Sequence, residues 1–467
     1  MTTRVPDRSI AEESLAHAAR SAPGPLGAPP GCRPGDEAAR AGTAPPGSAA
    51  DMVAPLLRAL VGTRVPVRVE FWDGSGIGPT DGAGTLRVRS TDAVRRILWA
   101  PGELGVARAF VSGDLTVEGD LYALLRVLHD APPRDLRQMT LRMLPSAVDA
   151  ARRLGAIGPP LPPPAEECRP AGRRHSPSRD ARAISHHYDV GNDFYRLVLG
   201  PSMTYSCARF VSADATLEEA QSAKYELICR KLGIDRRPGA RLLDVGCGWG
   251  SMAIHAARHH HAEVVGVSLS REQVDLARQR VAEAGLGDRV EIRRQDYRDL
   301  GGEEFDAISS IGMFEHVGTA QMARYFETLR QLLTPTGRVL NHAISKPGGS
   351  ALGSRSFVGR YVFPDGELLD VGQVALAMQR AGFEVRDVES LREHYSRTLH
   401  HWVANLEEHW DEAVALVGLA RANVWRLYMA ASSNGFDDGG LAVHQVLGVV
   451  PEPDGRSGMP PTREGWG

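Results

Sequence analysis

The chain has 467 residues, of which 42% are apolar, 24% charged and 6% aromatic. That is material for about two or three folded units of ordinary soluble composition, which excludes a single small module, a collagen-like or coiled-coil rod and a wholly disordered chain. Lys and Arg number 54 against 57 Asp and Glu, a net charge of −3, so the broad positive field of a dedicated nucleic-acid binder is missing and no nucleic-acid partner is expected.

Met1 to Ser21 is charged and Ala-rich without the apolar stretch of a secretion signal, and no run of ~18 apolar residues follows, so a cytoplasmic protein is expected. Residues 21–50 hold seven Pro and six Gly. Such a density stops helix or sheet propagation and supplies little apolar surface to offset the entropy of ordering. Residues 1–50 are therefore expected to form a disordered tail. Residues 51–150 carry their own periodicity: Val65 to Trp72 and Thr85 to Arg89 alternate like strands, and Asp120 is placed to cap a helix bearing Leu121, Leu124, Leu125 and Leu128. A small α+β domain without a catalytic constellation is predicted there. Residues 151–182, with seven Pro, seven Arg and only Glu166, Glu167 and Asp180 as acids, read as an exposed basic linker.

From residue 183 to about 450, short β-branched runs alternate with amphipathic stretches. Candidate strands are 241–245, 263–267, 290–293, 305–310, 338–343, 383–388 and 444–449, with helices around 217–232, 251–260, 271–284, 319–333 and 371–381. That order predicts a doubly wound, Rossmann-like α/β domain with a parallel sheet. A long Trp-bearing helical region near 397–432 precedes the last strand, which is expected to join as an antiparallel edge. Residues 451–467 are expected to be a disordered C-terminal tail.

Leu242-Leu-Asp-Val-Gly-Cys-Gly-Trp-Gly250 sets a Gly-rich turn between a buried strand and a helix, where small residues let the backbone approach a ligand at the carboxyl edge of the sheet. It lacks the Lys-Ser/Thr pair of a phosphate loop, and Asp244 repels phosphate. An acidic strand end beside bare glycines suits a cation-bearing nucleoside such as S-adenosylmethionine, whose ammonium Asp244 can accept. The next strand ends in Ser268, Leu269 and Gln273, which bring hydrogen-bonding groups but no acid for a ribose, and so depart from the NAD fingerprint. Gln295-Asp-Tyr-Arg298 either edges the adenine or merely closes a loop.

Two further segments are polar where a core is expected to be bland. His186-His-Tyr-Asp-Val-Gly-Asn-Asp-Phe-Tyr195 with Met203-Thr-Tyr-Ser-Cys-Ala208 precedes the sheet, and Gly312-Met-Phe-Glu-His-Val-Gly318 follows its fourth strand. Buried Glu and Cys are costly without partners, and the Gly312–Gly318 segment falls at the same sheet edge as Asp244, which aims Glu315 at the ligand. Its plain alternative is a helix-end ion pair.

The five cysteines, Cys32, Cys168, Cys207, Cys229 and Cys247, form no CxxC pair and leave one over, which fits neither a disulfide framework nor a zinc knuckle. His255, His259, His260 and His261 have spacings that a metal uses, but with no carboxylate nearby in sequence they read as a solvated helix end and no metal is expected. Trp402, Trp410 and Trp425 line an acyl channel or are simple core.

These segments, with Asn341-His-Ala-Ile344, Tyr361-Val-Phe-Pro-Asp-Gly366 and His394-Tyr-Ser-Arg-Thr-Leu-His-His-Trp402, together resemble the cyclopropane-fatty-acyl-phospholipid synthase family, which includes mycolic acid cyclopropane synthases and other fatty-acid methyltransferases. The resemblance covers about 183–450. It implies a class I methyltransferase domain that uses S-adenosylmethionine on an unactivated cis alkene. Methyl transfer leaves a carbocation, which collapses to a cyclopropane when a base takes a proton from the new methyl group; removal without ring closure gives an exocyclic methylene. The two products stay open at this point.

The resemblance further implies a bound bicarbonate as base, held by Cys207, Glu315, His342, the Ile344 carbonyl and Tyr395. These are donors and acceptors of the kind a small anion needs. It carries the cofactor site onto Tyr205, Ser206, Asp244, Gly246, Gly248, Gly250, Ser268, Leu269, Gln273, Tyr297, Arg298 and Ile311. Cys207 is not expected to act as a nucleophile, and Cys247 is expected to be structural.

Phospholipid synthases of this family have an additional N-terminal domain, and Leu98-Trp-Ala-Pro-Gly-Glu-Leu-Gly105 and Ser112-Gly-Asp-Leu-Thr-Val-Glu-Gly119 look like it. An acyl chain in a phospholipid is the implied substrate, reached by peripheral docking at the inner face of a membrane. Arg152, Arg153, Arg169, Arg173, Arg174, Arg179 and Arg182 are candidates to attract anionic headgroups. A homodimer through the N-terminal domain, a catalytically silent lipid-binding relative and a methyltransferase for a soluble metabolite remain the other readings.

Overall fold

The structure is a computed structural model in which residues 45–61, 65, 67–82, 84–129, 136–168, 190–351, 353, 356–364, 366–464 and 466 are described. His186 to Asp189, Arg169, Arg173, Arg174, Arg179 and Arg182 lie outside them, as does the expected tail up to residue 44.

The N-terminal elements are α1 (Ala49–Val61), β1 (Arg68–Phe71), β2 (Gly76–Ile77), β3 (Gly84–Val88), α2 (Thr91–Trp99), α3 (Glu103–Val111), β4 (Leu115–Gly119), α4 (Leu121–His129) and α5 (Leu136–Arg153). The sheet order is β2-β1-β3-β4, with β1 and β3 parallel. Alternation along β1 sends Val67, Val69 and Phe71 into the core. Helix α1 begins inside the segment expected to be disordered, because the turn after β1 caps it: Ala49 N–H donates to Asp73 Oδ2 (2.7 Å) and Ala50 N–H to Ser75 Oγ (3.0 Å). Asp120 caps α4 as its spacing predicts, accepting from Ala123 N–H at 3.0 Å.

The second part comprises α6 (Asn192–Leu199), α7 (Leu217–Leu232), β5 (Arg241–Val245), α8 (Ser251–His260), β6 (Glu263–Ser268), α9 (Arg271–Glu283), β7 (Val290–Arg294) and β8 (Phe305–Ile311). It continues with α10 (Met322–Gln331), β9 (Leu333–Ser345), β10 (Ser350–Ala351), α11 (Phe357–Tyr361), β11 (Glu367–Leu368), α12 (Val371–Arg380), β12 (Glu384–Ser390), α13 (Arg392–Glu408), α14 (Trp410–Asp437, broken at Gly418) and β13 (Ala442–Val449). Local chemistry sets several boundaries. Thr216 and Glu219 form a capping box at α7, which Gly233 ends in a left-handed conformation; Ser270 caps α9 and Asp370 caps α12.

Seven strands form the main sheet in the order β12-β13-β9-β8-β5-β6-β7. β5 to β9 run parallel, and β13 is antiparallel to both its neighbours. Period-two alternation divides the core between two layers. Leu242, Val264, Ala307, Leu340 and Leu447 face α7, α8 and α9, whereas Leu243, Val265, Ile308, Val339 and Val446 face α10 and α12. Truncating one such fully buried leucine to alanine costs about 2–5 kcal/mol. The expectation of β13 as an edge is corrected: it lies between β9 and β12, and the edge is β12, whose Arg386, Val388 and Glu389 are at least partly exposed.

A third cluster, above the carboxyl edge of the strands, joins α6, α11, α13 and α14 to α3 and α4. The N-terminal part and the sheet thus belong to one compact unit. Residues 154–168 differ from the exposed linker expected. Glu167, with its side chain 1% exposed, receives both a 2.7 Å and a 2.8 Å hydrogen bond from Arg108, and Cys168 N–H bonds the Arg360 carbonyl. The C-terminal segment likewise departs from a disordered tail: Trp466 is buried in the layer of α7 and α8, with Met459 beside it. No helix among the described residues is long and apolar enough to cross a membrane.

Candidate active site

Strand β5 delivers Asp244 to the sheet edge and the chain turns there. Gly246 takes a φ of +76°, and a Cβ on it would meet Met313 at 3.0 Å. Only glycine meets both demands. The Gly246 and Cys247 amides both donate to the Val267 carbonyl, at 2.9 and 3.0 Å, and tie the turn to β6. Over it opens a cleft.

Eleven of the twelve expected cofactor positions border this cleft: Tyr205, Ser206, Asp244, Gly246, Gly248, Ser268, Leu269, Gln273, Tyr297, Arg298 and Ile311. Gly250 does not. It faces α9 instead, where an added Cβ would lie 3.3 Å from Ala277 Cβ, so its smallness serves helix packing.

Asp244 is buried. Its Oδ1 accepts from Ser309 Oγ at 2.7 Å, while Oδ2 has no hydrogen-bond partner among the described residues. Burial raises its pKa to about 6 against the opposing pull of Ser309 and Lys224. An orphaned acceptor at the mouth of a Gly-rich turn fits a cationic ammonium. Ser268 Oγ donates to Gln273 Oε1 at 2.9 Å, which leaves the Gln273 amide nitrogen as that side chain's remaining group. Both readings of the next loop meet in one place, because Asp296 receives Arg298 Nε at 2.8 Å, closing the loop, while Asp296, Tyr297 and Arg298 also border the cleft. The residues present therefore fit S-adenosylmethionine.

Beyond this cleft lie the other five expected residues. Strand β8 pairs with β9 as far as Ile311 and His342, and then turns away through a single helical turn at Phe314–His316. Glu315 reaches back from that turn, and its Oε1 accepts the Ile344 N–H at 2.7 Å. Across the sheet, Ile344 faces Val443, whose carbonyl is taken by Leu391 N–H. Ile344 and Val443 are thus a pair without mutual hydrogen bonds, and in an antiparallel ladder the Ile344 carbonyl then points the same way as its N–H, toward Glu315.

Glu315 Oε2 is buried and has no partner among the described residues, and burial raises the carboxyl pKa to about 7. His342 is 1% exposed. Burial, with Lys224 and Lys231 nearby, holds it well below the ordinary histidine value, so it is neutral at neutral pH. Cys207 Sγ lies against two carbonyls, Ala208 at 3.1 Å and Leu391 at 3.6 Å, and burial pushes its pKa up. A thiol in such surroundings is held in its protonated form. Tyr395 lies in the first turn of α13, its N–H bonded to the Leu391 carbonyl and its ring 4.7 Å from that of Phe436. The links Cys207–Leu391–Val443–Ile344–Glu315 run through the four segments that carry the five residues, with His342 two residues from Ile344 along β9.

The sequence model of the mycolic acid cyclopropane synthetase family matches residues 175–446. The chain belongs to this family. A "Probable fatty acid methyltransferase" of Mycobacterium tuberculosis is 44% identical over 407 residues, covering 85% of this chain and 93% of that one. The cyclopropane-fatty-acyl-phospholipid synthase of Escherichia coli K12 is 37% identical over 261 residues, covering 56% of this chain and 66% of its own. Mycolic acid cyclopropane synthase CmaA1, solved in complex with SAH and CTAB, superposes with a TM-score of 0.54 at 33% identity, covering 58% of this chain and 98% of that one. The protein is an S-adenosylmethionine-dependent class I methyltransferase that acts on fatty acids.

Sequence reasoning passed over several polar residues of this cyclopropane-synthase-family site. Lys224 is fully buried with its Nζ 2.8 Å from Ser206 Oγ, and desolvation lowers its pKa to about 7. Lys231 is 1% exposed; it donates to Gln445 Oε1 at 2.9 Å and pairs with Asp387 at 2.8 Å and with Glu389. Tyr225, His316 and Gln321 border the same cleft. Lys224 and Lys231 stand seven residues apart, on one helix face with Gln221, which was the available signal. Trp402 and Trp425 are buried and pack 5.3 and 5.6 Å from the Tyr205 ring, whereas Trp410 is only partly buried. Of the histidines at the end of α8, His259 and His261 are exposed as a solvated end requires, whereas the His255 and His260 side chains are only 10% and 11% exposed, with Glu226 of α7 against them.

Proposed function

We propose that the enzyme adds the methyl carbon of S-adenosylmethionine to the cis double bond of an unsaturated acyl chain in a phospholipid. Bicarbonate, held by Cys207, Glu315, His342, the Ile344 carbonyl and Tyr395, serves as the base. The observation that carries this reading is a pair of buried polar atoms without hydrogen-bond partners among the described residues, Glu315 Oε2 and His342 Nε2, set near the ends of neighbouring strands. A buried polar atom left unpaired costs about 1–3 kcal/mol. Two such atoms beside the Ile344 backbone suit a small anion with a hydroxyl.

When bound, the sulfonium supplies an electrophilic methyl group. The chain's own residues do the rest: Asp244, Gln273 and the Gly-rich turn hold the donor, and the apolar cluster around Tyr205, Trp402 and Trp425 excludes water from the cation that forms. Glu315, half protonated near neutrality, and the neutral His342 orient the base, and Cys207 and Tyr395 close the far side. A proton taken from the new methyl group with ring closure gives the cyclopropane.

A second reading is favoured by one comparison. The fatty acid methyltransferase relative aligns over 85% of this chain, whereas the phospholipid synthase aligns over 56%. In that reading a hydride shift precedes loss of the methyl proton and leaves a methylene branch. Reversible docking at the inner membrane face is part of both readings. It is supported by the exposed Arg153 and by Trp99 and Ile157, which are 57% and 54% exposed. Gas chromatography–mass spectrometry of lipids from cells expressing the protein, and methyl transfer assayed with and without phospholipid vesicles, test this. Ring or methylene products on vesicle lipid are expected; turnover of a soluble acceptor without vesicles would refute it.

A further inference from the structure

The outer ends of α7 and α8 bring together side chains from two helices that no step of the reaction uses. Cys229 Sγ and one ring nitrogen each of His255 and His260 lie within 4.8 Å of one another. Glu226, three residues before Cys229 on the same face, places Oε2 2.9 Å from His260 Nε2 and 3.6 Å from His255 Nε2. The His255 nitrogen is buried and makes no hydrogen bond among the described residues.

We infer that Glu226, Cys229, His255 and His260 form a binding site for a divalent transition metal, zinc by the chemistry of the donors. One thiolate, two imidazoles and one carboxylate are the mixed donor set that zinc takes in four-coordinate sites, softer than magnesium or calcium accept. With bonds of about 2.0–2.3 Å, a tetrahedral ion sets its ligand atoms roughly 3.3–3.7 Å apart, so rotations of the side chains through about an ångström close the cluster. Burial keeps His255 neutral, with a pKa of about 4, which leaves its nitrogen ready to ligate. The Cys229 thiol releases its proton to solvent as the ion binds. The cluster is open on one side, where the Glu226 side chain is 32% exposed.

The site stands apart from the methyl-transfer centre yet touches its frame. The Tyr225 ring lies 5.6 Å from His255 and borders the donor cleft, and α8 starts from the Gly-rich turn. An ion here ties the two helices together behind the donor site, a structural clamp rather than a reagent.

Full-length protein stripped of metal by chelator and titrated with Co²⁺ alone tests the assignment. Saturation near one equivalent is expected, with a thiolate-to-cobalt charge-transfer band and the visible bands of a four-coordinate ion, both abolished by Zn²⁺. Cys229→Ser removes the charge-transfer band, and Glu226→Gln, a change on the open side that leaves the fold intact, weakens Co²⁺ binding at least about tenfold. No thiolate band in the wild type, an unchanged band in Cys229→Ser, or unaltered affinity in Glu226→Gln would each overturn the site.

Discussion

Gln445 fixes the tautomer of His342. The two residues face each other across β13 and β9, and the Gln445 amide nitrogen stands 3.3 Å from His342 Nδ1. The Gln445 carbonyl is already taken by Lys231, at 2.9 Å, so the amide must present its NH₂ to the ring. Nδ1 accepts, and the proton of the neutral imidazole sits on Nε2, which has no hydrogen-bond partner among the described residues. Lys231 is itself held by Asp387 and Glu389, so a buried line of polar groups ends in one oriented N–H donor.

Replacing Gln445 by Leu removes this control while filling similar volume. A drop in kcat of about 10–100-fold with little change in KM for the donor is expected, by analogy with the loss of outer partners of metal-bound histidines. Steady-state kinetics check the split. An equal rise in donor KM would instead mean that the substitution disturbs the cleft.

Glu315→Gln keeps the acceptor that takes the Ile344 N–H but removes the ionisable group. Donor binding is expected to persist and turnover to fall by at least about 100-fold. Stability moves the other way. The folded-state pKa of about 7 lies above the ordinary 4.5, so the unfolded chain gives up this proton first as pH rises. The wild type therefore loses stability between about pH 4.5 and 7, on the order of 3 kcal/mol in full. The glutamine variant loses none of it. Denaturant melts at about pH 5 and 8 should show the variant gaining on the wild type only at the higher pH.

With Asp244 as the seat of the donor's ammonium, donor affinity is expected to be pH-dependent. The raised Asp244 pKa of about 6 means that below this value the free enzyme carries a proton where the ligand's ammonium must sit. Affinity for S-adenosylhomocysteine should fall toward tenfold per pH unit below about 6 and level off above it, with protons released on binding in the acidic range. Calorimetry in buffers of different ionisation enthalpy measures both quantities. Asp244→Asn should bind weakly and show no such slope.

Periodicity located what chain-local chemistry controls. The helices at 217–232 and 251–260 and the strand at 241–245 have the bounds expected, because caps, glycines and alternation act within a few residues. Lateral strand order is not chain-local, which is why β13 was read as an edge. Its Val446, Leu447 and Val449 are all buried, so both faces are covered, while Glu384, Arg386 and Glu389 mark β12 as the true edge. The Gly-rich turn and Glu315 were legible as motifs. Lys231 was marked only by its spacing from Lys224 and Gln221, and Glu226 not at all, since a charged residue on an amphipathic helix reads as solvated until the facing element is known, and their partners lie on β12, β13 and α8. Glu167 was hidden in the same way: its partner Arg108 is 59 residues away in the chain.

The C-terminal segment reaches the same polar line from outside. Arg463 lies 2.7 Å from Asp387, the carboxylate that holds Lys231, and its guanidinium rests over the ring of Trp466 at 5.3 Å. Trp466 anchors the segment, being 4% exposed with its indole N–H bonded to the Thr462 carbonyl at 2.6 Å. Trp466→Ala should cost about 3–5 kcal/mol, the range for a buried aromatic. Arg463→Ala leaves the anchor in place and strips only the charge; with the Arg463 side chain 66% exposed, a loss of under about 1 kcal/mol is expected. Thermal denaturation separates the two, and hydrogen exchange at the β12 amides should quicken in the tryptophan variant alone. Equal destabilisation by both would mean that the ion pair, rather than the buried indole, holds the segment to the sheet.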